Sequence, residues 1–69
     1  MADIVIRLGG HPRPVPADSN LADLVATLGH AQDAVATGLN GEFVRRDLRS
    51  DTRLAAGDQV LIFQPIVGG

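Results

Sequence analysis

Residues 20–29, Asn-Leu-Ala-Asp-Leu-Val-Ala-Thr-Leu-Gly, are the stretch that decides the fold of this 69-residue chain. Leucine and valine recur there at intervals of three and four residues, which places one apolar stripe along a helix. Asn20 is a good N-cap and Gly29 a good C′ residue, so a helix of roughly two to three turns is predicted between them. An isolated helix this short is marginal in water and must pack on a partner element.

The segment before this helix has the pattern of a β-hairpin. Apolar and other residues alternate over residues 3–8, which predicts a strand. Gly9-Gly10 supplies a turn, and residues 13–17 form a short return strand. The prolines at positions 12, 14 and 16 remove backbone donors, which favours an edge strand.

The segment after the helix predicts a second hairpin and a final strand. Residues 34–39 and 42–45 flank Asn40-Gly41, a strong signal for a type I′ turn. Residues 46–58 form a polar loop with one helical turn, and Leu48 and Leu54 are its predicted inward anchors. Residues 59–64, Gln-Val-Leu-Ile-Phe-Gln, form the last strand.

The last strand is apolar on both faces. Successive side chains of a strand point to opposite sides, so Val60 and Ile62 share one face and Leu61 and Phe63 the other. We expect the first pair to meet the helix and the second to form an exposed partner patch. In the alternative interpretation, the arginine-rich loop folds over that second face.

The order β-β-α-β-β-β predicts a two-layer α+β domain over residues 1–64, because one helix can cover one sheet face. Residues 65–69 are predicted to be a flexible tail. The short apolar run 60–63 cannot span a bilayer, and the N-terminus has no apolar leader. We therefore expect a cytoplasmic protein without a membrane partner, monomeric when free.

Composition excludes several classes of site. The chain has no cysteine, which removes disulfides, thiolate metal sites and cysteine nucleophiles. Histidines occur at positions 11 and 30 alone, and surface capping explains them better than metal binding. The net charge of −2 argues against a nucleic-acid partner. Four arginines could dock an acidic partner or could simply be solvated: Arg45, Arg46, Arg49 and Arg53.

The carboxyl end carries the chemistry. Gly68-Gly69 follows the last strand and a short apolar segment, and glycine leaves the terminal carbonyl unhindered. The terminal carboxyl has a reference pKa of about 3.3–3.7 and is ionised at neutral pH. Such a carboxylate can attack the α-phosphate of ATP and become an acyl-adenylate.

Taken together, the motifs resemble the ubiquitin-like sulfur carriers of the ThiS/MoaD family. The segments that carry this resemblance are 40–46, 54–60, Phe63-Gln64 and Gly68-Gly69. The resemblance implies a β-grasp fold, with a mixed sheet of roughly four to five strands and one main helix on one face. The short chain is more similar to the thiamine branch than to the molybdopterin branch.

The family resemblance also implies a mechanism without catalysis by the carrier itself. A ThiF-like E1 adenylyltransferase would use ATP to adenylate Gly69, and a cysteine desulfurase would supply sulfur for a thiocarboxylate. The thiazole synthase ThiG would then take that sulfur. Gly68, Val67, Ile66 and Pro65 would enter the partner channel, while Phe63 and Leu61 dock on the partner. No bound cofactor is expected.

Three alternatives remain open from the sequence. One is a carrier for molybdopterin or cysteine synthesis. Another is a β-grasp binding module of the TGS type, which needs no free double-glycine end. The last is a protein modifier that attaches Gly69 to lysines.

Overall fold

The computed structural model describes residues 2–64 and has the predicted element order. The sheet contains five strands in the spatial order β2-β1-β5-β3-β4. Strand β5 runs parallel to β1, and the other neighbouring pairs are antiparallel, so the sheet is mixed. The elements are β1 Asp3–Leu8, β2 His11–Pro16, α1 Leu21–Thr27, β3 Ala36–Leu39, β4 Glu42–Val44, a 3-10 helix Arg46–Asp51 and β5 Gln59–Phe63.

Helix α1 begins and ends at the predicted residues. The Asn20 side chain accepts from the backbone N–H of Asp23 at 2.8 Å, and the Asp23 carboxylate accepts from the Asn20 N–H at 3.3 Å. This reciprocal pair is a capping box. At the other end Gly29 has φ +83°, and the His30 N–H bonds the Val25 carbonyl at 3.2 Å, as in a Schellman motif.

The hydrophobic core lies between α1 and one face of the sheet. Its buried side chains come from the helix stripe, from alternate strand positions and from the long loop. They are Ile6, Val15, Leu21, Leu24, Leu54 and Val60. The predicted inward positions of the helix and strands are therefore confirmed.

Two backbone bonds place Leu54 in this core. The Leu54 N–H donates to the Ser19 carbonyl at 3.0 Å, and the Leu21 N–H donates to the Thr52 carbonyl at 2.9 Å. These bonds attach the loop to the start of α1. The prediction that Leu48 is a second inward anchor was wrong, because this side chain is 47% exposed on the 3-10 helix.

Strand β2 forms one edge of the sheet, as its prolines predicted. The backbone N–H groups of Arg7, in β1, and of Gly9, just after it, donate to the carbonyl oxygens of Asp58 and Val60. The odd-numbered residues of this segment therefore bond toward β5. Alternation in an antiparallel ladder therefore directs the even-numbered residues of β1 toward β2. Their register partners are residues 15, 13 and 11, so the three prolines of β2 lie at positions that face away from β1.

Candidate functional site

The open face of the sheet carries the predicted partner patch. Leu61 and Phe63 project from β5 on the side opposite α1 and are 44% and 53% exposed. Val60 on the other face is fully buried, and Ile62 packs against the core. The predicted orientation of β5 is confirmed. The alternative, in which the arginine-rich loop covers Leu61 and Phe63, was wrong.

This patch is wider than the sequence analysis predicted. Gly38 of β3 pairs with Leu61 of β5 on one side and with Phe43 of β4 on the other, so all three share the open face. Phe43 is 71% exposed, and Val5 of β1 is 51% exposed. Arg7 pairs with Gln59, which places Val5 level with the residues before β5 and apart from Leu61. We therefore call Phe43, Leu61 and Phe63 the open-face patch.

The position of Gly38 determines how this patch packs. A Cβ atom at Gly38 would stand 3.9 Å from the Leu61 Cβ and 4.0 Å from Cε2 of Phe63. The Phe63 ring therefore lies beside Gly38 of β3. Phe43 of β4 is the register partner of that same glycine, so both phenylalanines of the chain border Gly38.

A groove opens where β5 leads toward the carboxyl end. It has a volume of about 560 Å³ and is lined mainly by Leu8, Leu28, His30, Ile62 and Gln64. Gln64 is the last residue that the structure describes. The predicted tail over residues 65–69, including the channel residues and Gly69, lies outside the described residues.

Arg49 does not belong to a surface basic patch, which corrects the sequence analysis. Its side chain is only 2% exposed. Nε donates to the Thr37 hydroxyl at 3.0 Å, and Nη2 donates to the Val35 carbonyl at 2.6 Å. Nη1 donates to the Gln32 carbonyl at 2.6 Å and to its side-chain oxygen at 3.1 Å. Arg49 thus ties the 3-10 helix to β3 and to the loop before it.

The charge of Arg49 is held by neutral oxygens in all four of these hydrogen bonds. Burial lowers the pKa of its guanidinium, and the nearby charge of Arg46 lowers it further. No sequence pattern pointed to this burial, since arginine is almost never fully buried unless it is paired.

The other charged candidates stay on the surface. Arg45 pairs with Asp47 at 3.0 Å, and both side chains are mostly exposed. Such a pair adds little stability, with a typical value of about 0–1 kcal/mol. Arg46 and Arg53 are exposed as well. Over residues 2–64, no three acidic or histidine side chains cluster closely enough to hold a metal ion. Among the described residues, neither α1 nor the 3-10 helix has the length that a membrane-spanning helix needs.

Known proteins share this architecture. The chain is similar to the crystal structure of the thiamine biosynthesis protein ThiS from Geobacter metallireducens, with a TM-score of 0.82 and 29% identity over 96% of this chain and 100% of that one. The chain is also similar to a solution structure of a thiamine biosynthesis protein from the same organism. The TM-score is 0.74 and the identity 30%, over 96% of this chain and 87% of that one.

A more distant likeness concerns the fold alone. SAMP1 from Haloferax volcanii is 20% identical, with a TM-score of 0.60 over 99% of this chain and 100% of that one. No curated protein matches the chain significantly. The ThiS family model matches residues 6–69, a range that includes the helix, the double-glycine end and all of the sheet except the first three residues of β1. This chain therefore belongs to the ThiS family.

Proposed function

We propose that this chain is the sulfur carrier of thiamine biosynthesis and that the sulfur is carried on Gly69. The observation that supports this most is the family match, which extends over residues 6–69 and so includes Gly68-Gly69. The open-face patch adds a physical reason, because two of its members lie on β5, directly before the carboxyl end. A partner that binds this face is well placed to receive the tail.

The proposed chemistry uses the chain as a protein co-substrate. The Gly69 carboxylate oxygen attacks the α-phosphate of ATP on a ThiF-like enzyme, and pyrophosphate leaves. A persulfide sulfur that a cysteine desulfurase has formed then attacks the acyl carbonyl and displaces AMP, which gives an acyl disulfide. A thiol cleaves that S–S bond, so that the thiocarboxylate is released and a disulfide remains on the sulfur donor. The thiazole synthase ThiG takes that sulfur for the thiazole ring. Because both glycines lack a Cβ atom, the tail is narrow and its terminal carbonyl is unhindered.

Intact mass spectrometry tests the chemistry. The chain is incubated with its activating enzyme, ATP and a sulfur source, and we expect replacement of one terminal oxygen by sulfur. A variant that lacks Gly69 should keep the circular dichroism spectrum of the parent and gain no sulfur. An unchanged mass with the cognate enzyme would overturn the proposal, and so would sulfur gain by the truncated chain.

A matched pair of variants tests the docking surface separately. Phe63→Ser removes an anchor of the open-face patch, whereas Leu48→Ser removes a similarly exposed side chain from the 3-10 helix. We expect the first to weaken activation by about tenfold or more, as for an interface anchor, and the second to leave it unchanged. Equal effects from both would remove the patch from the proposal.

A further inference from the structure

Asn40 connects the β3–β4 turn to the start of β5. Its Oδ1 accepts from the Gln59 N–H at 2.9 Å, and its Nδ2 donates to Oδ1 of Asp58 at 3.2 Å. The Asn40 backbone N–H also donates to the Gln59 carbonyl at 2.7 Å. We call the two side-chain bonds the Asn40 clamp. The clamp fixes both ends of a side-chain amide in an exposed turn.

The residue after Asn40 makes this amide chemically vulnerable. Gly41 has no Cβ, and no atom beyond its immediate chain neighbours lies within 4 Å of the place where one would stand. Its backbone nitrogen can therefore approach the Asn40 Cγ once the side chain is free. Loss of the N–H proton lets this nitrogen attack Cγ, a ring closes and ammonia leaves. Water then opens the succinimide at either carbonyl, giving aspartate or isoaspartate, and no oxidant is required.

We propose that Asn40 is a deamidation site and that the Asn40 clamp sets the rate of this modification. The ring closes only after Cγ turns toward Gly41, and that rotation breaks the bonds to Asp58 and Gln59. Each net hydrogen bond of about 1 kcal/mol lowers the reactive population about fivefold. The folded chain therefore deamidates at least about tenfold more slowly than the same chain in denaturant.

The product would disconnect the hairpin from β5. An aspartate at position 40 places a carboxylate where Nδ2 now donates to Asp58, and two like charges so close repel each other. Isoaspartate adds a main-chain atom to a two-residue turn whose residues have φ values of 52° and 86°. In both products the hydrogen bonds between the turn and the start of β5 are weakened. Aspartate does this by charge repulsion and isoaspartate by strain in the turn.

The test compares deamidation of the full chain in native buffer and in urea, by mass analysis of the peptide that contains residues 40 and 41. Asp58→Ala removes one bond of the clamp and also the Oδ2 acceptor of the Ala55 N–H at 2.7 Å. Asp33→Ala, at an exposed aspartate, is the control for the change in charge. We expect Asp58→Ala to react about fivefold faster than the parent in native buffer. Asp33→Ala should react at the parental rate.

The urea measurement separates the clamp from local sequence effects. In urea the parent and both variants should react equally fast, because Asp58 is remote from Asn40 along the chain. A native parent that reacts as fast as the denatured chain would overturn the proposal. An unaltered native rate in a folded Asp58→Ala variant would overturn it too. The product variant Asn40→Asp should melt about 5 °C lower than the parent.

Discussion

The two faces of β5 carry similar side chains and meet opposite environments. Val60 on the helix side is fully buried, whereas Phe63 on the other side is 53% exposed. Burial of a large apolar side chain stabilises a fold by roughly 1.5–3 kcal/mol, so an apolar residue left in solvent gives up that gain. If a partner binds the open face, as proposed above, burial of such residues stabilises the complex and not the free chain. The comparison separates stability from binding, and substitutions on each face should report one or the other.

The largest loss of stability should come from the helix side. Leu24→Ala removes a buried side chain of α1 from the core, at a cost of about 2–5 kcal/mol. That approaches the whole stability of a domain of this size, so we expect a largely unfolded chain. Urea titration followed by circular dichroism measures this. A midpoint close to the parent's would contradict the assignment of the core.

A smaller loss is expected at the buried arginine. Arg49→Met keeps much of the volume but leaves the acceptors of Thr37, Gln32 and Val35 without their donor, at a cost of about 2–3 kcal/mol. Arg46→Met is the matched control, because Arg46 is exposed. We expect the control to stay within about 0.5 kcal/mol of the parent in urea unfolding. Equal midpoints for both variants would refute a structural role for Arg49.

The N-terminal cap of the helix should contribute less than either. Asn20→Ala removes the acceptor for the Asp23 N–H and should lower the unfolding free energy by about 1 kcal/mol. Asn20→Asp keeps an acceptor and should recover most of that loss. Thermal melts of the three proteins provide the measurement, and an alanine variant as stable as the parent would exclude the capping box as a determinant.

The smallest effect on stability should come from the open face. Phe43→Ser replaces an exposed ring of β4 and should change the unfolding free energy by no more than about 0.5 kcal/mol. If the open-face patch docks the activating enzyme, the same variant should raise the enzyme's KM for the carrier. A stability loss comparable to that of Leu24→Ala would show that Phe43 belongs to the core, and the distinction between the faces would fail.

Sequence patterns were most informative where one residue type meets a local requirement. Asn20 and Gly29 marked the helix ends, and Asn40-Gly41 marked the turn, because caps and positive φ values depend on near neighbours. The sequence patterns failed at Leu48 and Arg49. These residues lie in a 3-10 helix that is too short for a periodic spacing of apolar residues to show which side is buried. Burial of Arg49 depends on oxygens of Gln32, Val35 and Thr37, which are distant in sequence.

In the candidate site, too, the features set by neighbouring residues were predicted and those set by the sheet order were not. The alternation of β5 predicted the exposure of Leu61 and Phe63. Phe43 was missed because the sequence does not say which strand lies beside β5. That neighbour is set by the sheet order, which joins β4 to the patch through Gly38 of β3. The sequence of the strand over residues 42–45 did contain a weak indication of this exposure. Successive side chains of a strand point to opposite faces, so Phe43 and Val44 cannot both face the core.

The prolines of β2 have a consequence for how copies of this chain can associate. Every position of β2 that faces away from β1 is a proline. This edge therefore offers backbone carbonyls but no N–H donors to another strand. Filament growth by edge-to-edge pairing requires two edges that can each bond a new strand. In the described sheet only β4 can do so, and pairing there would end at two copies. Raising the concentration of this chain is therefore expected to give at most paired sheets, not filaments built edge to edge.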